Sequence, residues 1–399
     1  MKILIKNGQL ITPFRIIKGG GILVENEKIS QVLESQDEIR TVEAQDGVRV
    51  IDAKGNYISP GFIDIHTHGG GGHDFMDGTS EAFLGAAEMH AKHGTTSIVP
   101  TTLTCTNEEL KQTIEAYEEA KSKNTKGAYF LGLHLEGPYF ALSQAGGQDS
   151  RFIRNPQREE YETILSWSKD IVRWSIAPEL DGAMELGRLL RDRGILPSIG
   201  HTEAEYDKVV EAFENGYTHV THIYSGMQVV HRRNAYRYLG TVESAFLIDE
   251  MTVEMIADGC HLPPELLQLI YKIKGPSRIA LITDSLRGAG MPEGESISGS
   301  LKNGQKVIIE DGVAKLLDRS AFAGSVATTD RLVRTVTKQA GIPLIDAVKM
   351  MTYTPAEIMS VSKRKGSLAA GKDADILIFD EDINVKMTMV MGRVVFQQD

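Results

Sequence analysis

Cysteine is scarce in this sequence, and long apolar runs and an excess of positive charge are missing. The two cysteines, Cys105 and Cys260, lie far apart and form no CxxC arrangement, which excludes a disulfide framework and favours a reducing, cytoplasmic compartment. No run approaches the roughly 18 apolar residues of a membrane span, and the N-terminal stretch has no signal-peptide pattern. A net charge of −11 argues against a broad surface for nucleic acids or anionic membranes.

The two ends of the chain share a sequence pattern that the middle lacks. Residues 1–60 alternate β-forming and polar residues between Asn-Gly and Gly-Gly turns, and residues 363–399 contain a similar pattern. We therefore expect both ends to pair in one small sheet domain.

The middle of the chain, residues 61–362, alternates short apolar runs with helical patterns. One such helix is predicted to begin at a capping box formed by Thr106 and Glu109. Repeated strand–helix alternation predicts a parallel sheet, and eight such units would close a (β/α)8 barrel. A Gly-rich, β-like stretch at residues 286–320 is expected to be an insertion before the last barrel unit.

Histidine and carboxylate side chains stand at the ends of several predicted strands. His66 and His68 are two residues apart, so their side chains project from the same face of a strand. The four glycines that follow leave that face uncrowded. The same placement recurs at the ends of later apolar runs, with Glu136, His201, His222 and Asp284.

These side chains are expected to meet, because the carboxyl ends of barrel strands converge on one face. Imidazole and carboxylate ligands without thiolate suit Zn²⁺, Fe²⁺ or a similar divalent ion in an open catalytic site. The predicted metal ligands are His66, His68, Glu136, His201, His222 and Asp284.

The sequence around Asp284 differs from that around Glu136, since Asp284 follows a continuous apolar run and precedes a Gly-rich loop. A carboxylate beside a metal-bound water can accept a proton from that water and later deliver it to a leaving group. A metal ion would lower the pKa of bound water to about 7. This combination is suited to the hydrolysis of an unactivated amide or ester.

A cationic stretch, residues 231–238 (HRRNAYRY), follows the run that ends at His222. The forked guanidinium of arginine can bind two oxygens of a phosphate or carboxylate. In an acidic chain this position indicates an anion-binding role, and the alternative is an ordinary exposed charged segment.

Taken in order, the motifs resemble those of the amidohydrolase superfamily and, within it, of the N-acetylglucosamine-6-phosphate deacetylases. The stretch PGFIDIHTHG resembles the opening motif of the superfamily, while HLEGPY, IADGCH, ITDS and FAGS resemble the pattern of the deacetylase family. The resemblance runs nearly end to end. It implies a distorted (β/α)8 barrel of residues 61–362 and a small β-sandwich formed by both chain ends, residues 1–60 and 363–399.

The resemblance also implies an activity in amino-sugar metabolism. The protein would release acetate from N-acetylglucosamine 6-phosphate, with metal-bound hydroxide as nucleophile and Asp284 as general base and acid. Glu136, His201 and His222 carry over as metal ligands, while His66 and His68 imply a second metal bridged by Glu136. The expected cofactor is thus one or two ions of Zn²⁺ or Fe²⁺ per subunit.

A homodimer is implied as well, in which the partner chain helps to close the phosphate pocket. His261 matches a substrate-binding position and is expected to assist catalysis, with Gln148 as a second candidate for stabilising the oxyanion. The residues implied to bind substrate are Gly147, Gln148, Ser225, Gly226, Arg233, His261, Phe322, Ala323 and Gly324.

Three stretches depart from the family pattern, and one of them is RNAY at residues 233–236, where the family often has Arg-Glu-Pro-Gly. Gly146, Gly147 and Gln148 align where the family usually has Gly-Ala-His, and glutamine can donate a hydrogen bond but cannot carry a proton. Ser225 and Gly226 replace an Asn-Ala pair near the phosphate. These changes leave open another N-acetylhexosamine phosphate such as N-acetylgalactosamine 6-phosphate, another N-acyl or cyclic-amide substrate, or a non-catalytic sugar-phosphate-binding role.

Overall fold

The N-terminal segment forms strands where apolar and polar residues alternate. The computed structural model describes residues 1–398. In it, the second strand pairs antiparallel with the first and third, and the fourth and fifth pair parallel with the first. The elements are β1 (Lys2–Ile11), β2 (Ile16–Glu25), β3 (Lys28–Leu33), α1 (Gln36–Glu43), β4 (Val48–Asp52) and β5 (Tyr57–Pro60).

The barrel follows. Its strands are β6 (Phe62–Thr67), β7 (Gly69–Gly70), β8 (His73–Asp74), β9 (Thr95–Pro100), β10 (Tyr129–Phe130), β11 (Leu133–Glu136), β12 (Ile171–Ile176), β13 (Leu196–Ile199), β14 (His219–Val220), β15 (His231–Arg233), β16 (Tyr236–Tyr238), β17 (Thr252–Ile256) and β18 (Ile279–Ile282). Of these, β7–β8 and β15–β16 are antiparallel hairpins in loops.

The other strands form two parallel runs, β6-β9-β10 and β11-β12-β13-β14-β17-β18. Thr101 bridges His134 at one junction, and at the other the Asp284 N–H donates to the His66 carbonyl at 2.9 Å. The runs are mostly apolar because parallel strands are covered on both faces. The predicted (β/α)8 barrel is therefore confirmed.

Helices cover the outside of the barrel. They are α2 (Ser80–Lys92), α3 (Asn107–Lys123), α4 (Arg158–Trp167), α5 (Ala183–Asp192), α6 (Tyr206–Glu214), α7 (Thr241–Leu247), α8 (Pro264–Lys274), α9 (Thr329–Arg334), α10 (Leu344–Met351) and α11 (Tyr353–Ile358). The predicted capping box opens α3, where Thr106 Oγ1 accepts from the Glu109 N–H at 3.2 Å. Among residues 1–398, none of the helices combines the length and apolar character needed to span a bilayer.

The Gly-rich stretch after β18 is an antiparallel sheet, as its sequence indicates. Its four strands are β19 (Gly294–Ser298), β20 (Gln305–Glu310), β21 (Val313–Leu316) and β22 (Phe322–Ser325). The last of them lies beside the loop after β18, because the Ser325 N–H donates to the Asp284 carbonyl at 3.2 Å. The sheet thereby brings residues 322–324 next to Asp284.

The two chain ends meet in one eight-stranded sheet. Its C-terminal strands are β23 (Ile376–Phe379), β24 (Val385–Val390) and β25 (Arg393–Gln397). The order is β25-β24-β23-β5-β1-β2-β3, with β4 beside β1, and β23 pairs antiparallel with β5. We propose the predicted limits 1–60, 61–362 and 363–399 as domain boundaries, because the chain passes from this sheet to the barrel between β5 and β6.

Candidate metal centre and active site

His66 and His68 both point one ring nitrogen toward the centre of the barrel mouth. His66 Nδ1 lies 3.1 Å from Glu254 Oε2, and His68 Nδ1 lies 3.2 Å from the Thr101 carbonyl oxygen. Because these oxygens only accept, each Nδ1 carries the hydrogen. Each Nε2 is therefore the ring nitrogen left to bind a metal, as in metal-binding histidines.

Glu136, at the end of β11, is the group that the histidines surround. Its Oε1 lies 3.3 Å from His201 Nε2 and 3.0 Å from His222 Nε2, and its Oε2 lies 3.3 Å from His68 Nε2. The outer nitrogen of His201 donates to a backbone carbonyl at 2.7 Å, so its Nε2 is likewise left to bind a metal. The carboxylate is almost completely buried.

Two groups of potential ligands share this carboxylate: His66, His68 and Glu136, and Glu136, His201 and His222. His66 Nε2 is buried without a hydrogen-bond partner in the described chain, and His201 Nε2 lies only 3.2 Å from His222 Nε2. Nitrogen lone pairs that face each other around a carboxylate fit a divalent cation. The arrangement agrees with the predicted divalent metal.

The electrostatics of the site favour positive charge. Burial lowers the pKa of His66, but Asp284, Glu136 and Glu254 outweigh it and raise this pKa to about 9. Burial raises the pKa of Glu136, yet the surrounding imidazoles hold it well below the ordinary value. A metal cation bound among these groups would supply the positive charge that protonated histidines otherwise supply.

Asp284 stands at the rim of the ligand cluster. Its Oδ1 lies 3.0 Å from His68 Nε2 and 3.4 Å from His66 Nε2. Burial raises the pKa of Asp284, but the two imidazoles outweigh it, so the pKa lies below its usual value. An ionised carboxylate in this position can accept a proton from a water molecule in the cavity.

The strands end in a backbone conformation that non-glycine residues rarely adopt. The φ angles are 47° at His201, 26° at His222 and 46° at Asp284. Each such residue costs about 1–3 kcal/mol and persists where the surroundings fix it. At His222 the fixing contact is its N–H, which donates to Glu254 Oε2 at 3.0 Å.

A buried ion pair lies beneath the ligands. Arg173 on β12 and Glu254 on β17 are both fully buried and bonded to each other. Arg173 also donates to Ser198 and Thr221 hydroxyls. Burial raises the pKa of Glu254, but Arg173 and His66 outweigh it and hold it well below the ordinary value. Sequence analysis missed this pair, although a charged residue inside each apolar strand was a signal.

The ligands face a cavity of about 210 Å³. Most residues implied to bind substrate line it: Gly147, Gln148, Ser225, Gly226, His261, Phe322, Ala323 and Gly324. Its wall also contains four residues that sequence analysis did not single out, Leu103, Ile256, Leu286 and Ser298.

His261 is held by a neighbour that sequence analysis also missed. Its Nδ1 donates to Asp258 Oδ2 at 2.8 Å, and its ring packs against Phe322 with centroids 4.9 Å apart. This leaves Nε2 for the cavity. The spacing of Asp258 three residues before His261, in ADGCH, was the available signal.

Gly226 is a replaced position at which the site leaves little room for a side chain. Its φ is +56°, and a Cβ there would lie 2.9 Å from His201 Nδ1 and 3.2 Å from the Gln144 carbonyl oxygen. A side chain would therefore push against the hydrogen bond that orients His201.

Arg233 is not brought into the cavity of its own chain. It lies in the exposed hairpin β15–β16, where its guanidinium donates to Glu205 at 2.8 Å and lies 3.9 Å above the Tyr238 ring. The carboxylate of Glu205 thus binds the guanidinium that was predicted to bind a substrate anion. The sequence analysis did not predict this pairing.

Comparison with known proteins agrees with this geometry. The model of the amidohydrolase family matches residues 57–395. The N-acetylglucosamine-6-phosphate deacetylase of Vibrio furnissii is 34% identical over 85% of this chain and 83% of its own. That of Bacillus subtilis is 32% identical over 99% of this chain and 97% of its own.

A solved structure also matches. The N-acetyl-D-glucosamine-6-phosphate deacetylase of Mycobacterium smegmatis, a mutant in complex with N-acetyl-D-glucosamine 6-phosphate, has a TM-score of 0.89 and 27% identity, covering 99% of this chain and 100% of its own. The chain therefore belongs to the N-acetylglucosamine-6-phosphate deacetylase family, within the amidohydrolases, which are hydrolases acting on amide C–N bonds.

Proposed function

We propose that this protein hydrolyses the N-acetyl group of N-acetylglucosamine 6-phosphate, giving glucosamine 6-phosphate and acetate. The observation that carries the proposal is the convergence of four imidazoles and Glu136 beside Asp284 at the open end of the barrel. The names of the relatives, and the compound bound in the Mycobacterium smegmatis structure, support this choice of substrate.

We propose that the ligand cluster holds one or two ions of Zn²⁺ or Fe²⁺, with Glu136 shared between its two groups. His66 and His68 belong to one group, and His201 and His222 to the other. A divalent cation bound there would polarise a carbonyl oxygen and lower the pKa of a bound water to about 7.

Asp284 moves the proton. Its carboxylate accepts a proton from the water whose oxygen forms a bond to the acetyl carbon. As the C–N bond breaks, Asp284 delivers this proton to the departing amine nitrogen, and acetate is released. His261, oriented by Asp258, places Nε2 toward the substrate, while Gly147, Ser225 and the backbone of residues 322–324 shape the binding cavity.

The experiment for this proposal measures acetate release from N-acetylglucosamine 6-phosphate before and after dialysis against a chelator. We expect turnover to fall at least about 10³-fold on metal removal, because the cation contributes several kcal/mol at about 1.4 kcal/mol per tenfold. Added Zn²⁺ or Fe²⁺ should restore it. N-acetylgalactosamine 6-phosphate and unphosphorylated N-acetylglucosamine serve as comparison substrates. A failure to release acetate from any acetylated amino-sugar phosphate would contradict the proposal.

The described cavity wall contains neither lysine nor arginine. A cavity without a cationic side chain favours a second candidate, hydrolysis of an uncharged N-acyl or cyclic-amide compound. A phosphorylated substrate would need a cation from outside this chain's cavity wall. We propose that a second copy of the chain in a homodimer supplies this cation. Tyr236 is 75% exposed and Val230 is 44% exposed in and beside the hairpin β15–β16, which suits a contact with another subunit.

Replacement of Arg233 by alanine distinguishes these candidates. We expect kcat/KM for the phosphorylated substrate to fall about 10- to 100-fold, because a charge-assisted hydrogen bond contributes about 1.5–3 kcal/mol. The value for unphosphorylated substrate should change little. Arg15→Ala, at an exposed arginine of the terminal sheet, is the matched control. A preference for unphosphorylated substrate, together with no effect of Arg233→Ala and a monomer by sedimentation, would favour the second candidate.

We also propose a cytoplasmic location. Both cysteines, Cys105 and Cys260, are unpaired, which agrees with a reducing compartment.

A further inference from the structure

The Gln148 side chain separates two neighbouring cavities. Its side chain lines both the 210 Å³ metal-site cavity and a neighbouring cavity of about 390 Å³. The residue is only 9% exposed. A buried amide at such a place needs partners for both its carbonyl and its NH₂ group.

The orientation of this amide follows from its backbone neighbour. The Thr104 N–H lies 2.8 Å from one end of the amide and can only donate, so that end is the carbonyl oxygen, Oε1. The NH₂ group then faces Glu136, where Nε2 donates to Oε2 at 2.7 Å. Both ends of the Gln148 side chain are thus engaged within the protein.

The contact falls on the carboxylate that both groups of ligands share. Glu136 Oε1 lies among His66, His201 and His222, while Oε2 lies between His68 and Gln148. The terminal torsion of a glutamate is broad, so the carboxylate needs a fixed donor to keep one oxygen toward each ligand group.

We propose that Gln148 is a positioning residue for Glu136, which it holds in the orientation that serves both ligand groups, rather than a donor to the acetyl carbonyl. The inference rests on the metal site of the proposed function but not on its substrate. Because the glutamine amide is neutral, it performs this task without taking up or releasing a proton.

The test is a titration of metal-free protein with Zn²⁺ in competition with a chromophoric chelator, without substrate. Gln148→Met removes both hydrogen bonds at similar size, and we expect about a 10- to 100-fold weaker affinity for at least one ion. KM for N-acetylglucosamine 6-phosphate, measured at saturating Zn²⁺, should stay within about twofold. Gln157→Met, at an exposed residue without a capping bond, is the control.

Gln148→Asn provides a second variant that keeps an amide in the site. The shorter side chain cannot reach both Thr104 and Glu136, so the same loss of Zn²⁺ affinity is expected. Unchanged affinity in both variants, or a raised KM with unchanged affinity, would overturn the proposal in favour of a direct substrate contact. Since no substrate enters the titration, its outcome is independent of whether acetate is released.

Discussion

Replacing Asp284 with asparagine is expected to lower kcat for acetate release by about 10²–10⁴-fold, which is the usual contribution of a positioned general base. Asparagine has the shape of aspartate and tolerates the left-handed backbone at this position, where φ is 46°. It cannot accept a proton from water at neutral pH. Steady-state kinetics on N-acetylglucosamine 6-phosphate measures the effect.

Metal content decides how the loss of activity in Asp284→Asn is interpreted. We expect this variant to retain metal at Glu136, His201 and His222, so elemental analysis should still find at least one ion per chain. Asp311→Asn is the matched control, because Asp311 also has a left-handed backbone, with φ of 56°, but its carboxylate pairs with Lys315 at the surface. A variant at position 284 that kept more than about a tenth of the activity would remove Asp284 from the proton-transfer role.

Replacing Glu254 with glutamine is expected to lower the free energy of unfolding by about 3–5 kcal/mol, the typical result of leaving one charge of a buried pair alone. The isolated charge is Arg173, which is fully buried. The substitution also weakens the contacts that Glu254 makes with His66 and with the His222 N–H. Denaturant unfolding of the metal-free protein measures the change without a contribution from bound cation.

Two further variants separate the buried charge from a general effect of substitution. Glu25→Gln removes one partner of an exposed pair with Lys2, and about 0–1 kcal/mol is expected. Combining Glu254→Gln with Arg173→Met removes both buried charges and should recover part of the lost stability. If Glu254→Gln lowered the free energy of unfolding no more than the surface variant does, the buried ion pair would contribute no more to stability than an exposed pair.

The strand ends that carry the ligands could be predicted because the information is local. An apolar run that ends in HTH or in HLE shows both the strand and the chemistry within a few residues, as at His66, His68 and Glu136. The barrel then determines that such ends meet. The capping box at Thr106 and Glu109 is equally local, and it formed as predicted.

The support beneath the ligands could not be predicted in the same way. Arg173 and Glu254 lie on strands far apart in sequence, and only the closed barrel brings them into contact. Gln148 could be recognised as a hydrogen-bond donor, but its direction depends on the Thr104 N–H, a backbone group whose position the sequence does not show. For Arg233, the cationic pattern was visible, while the pairing with Glu205 depends on how the hairpin folds back.

The pairing of β5 with β23 has a consequence for synthesis of the chain. The first five strands leave the ribosome long before Ile376–Phe379, and at roughly 5–20 residues per second the delay is about 15–65 seconds. Throughout that interval β5 presents unpaired backbone groups along one side, the feature that invites pairing with other chains. Chaperone protection of the nascent N-terminal sheet would therefore matter most before the last strands emerge.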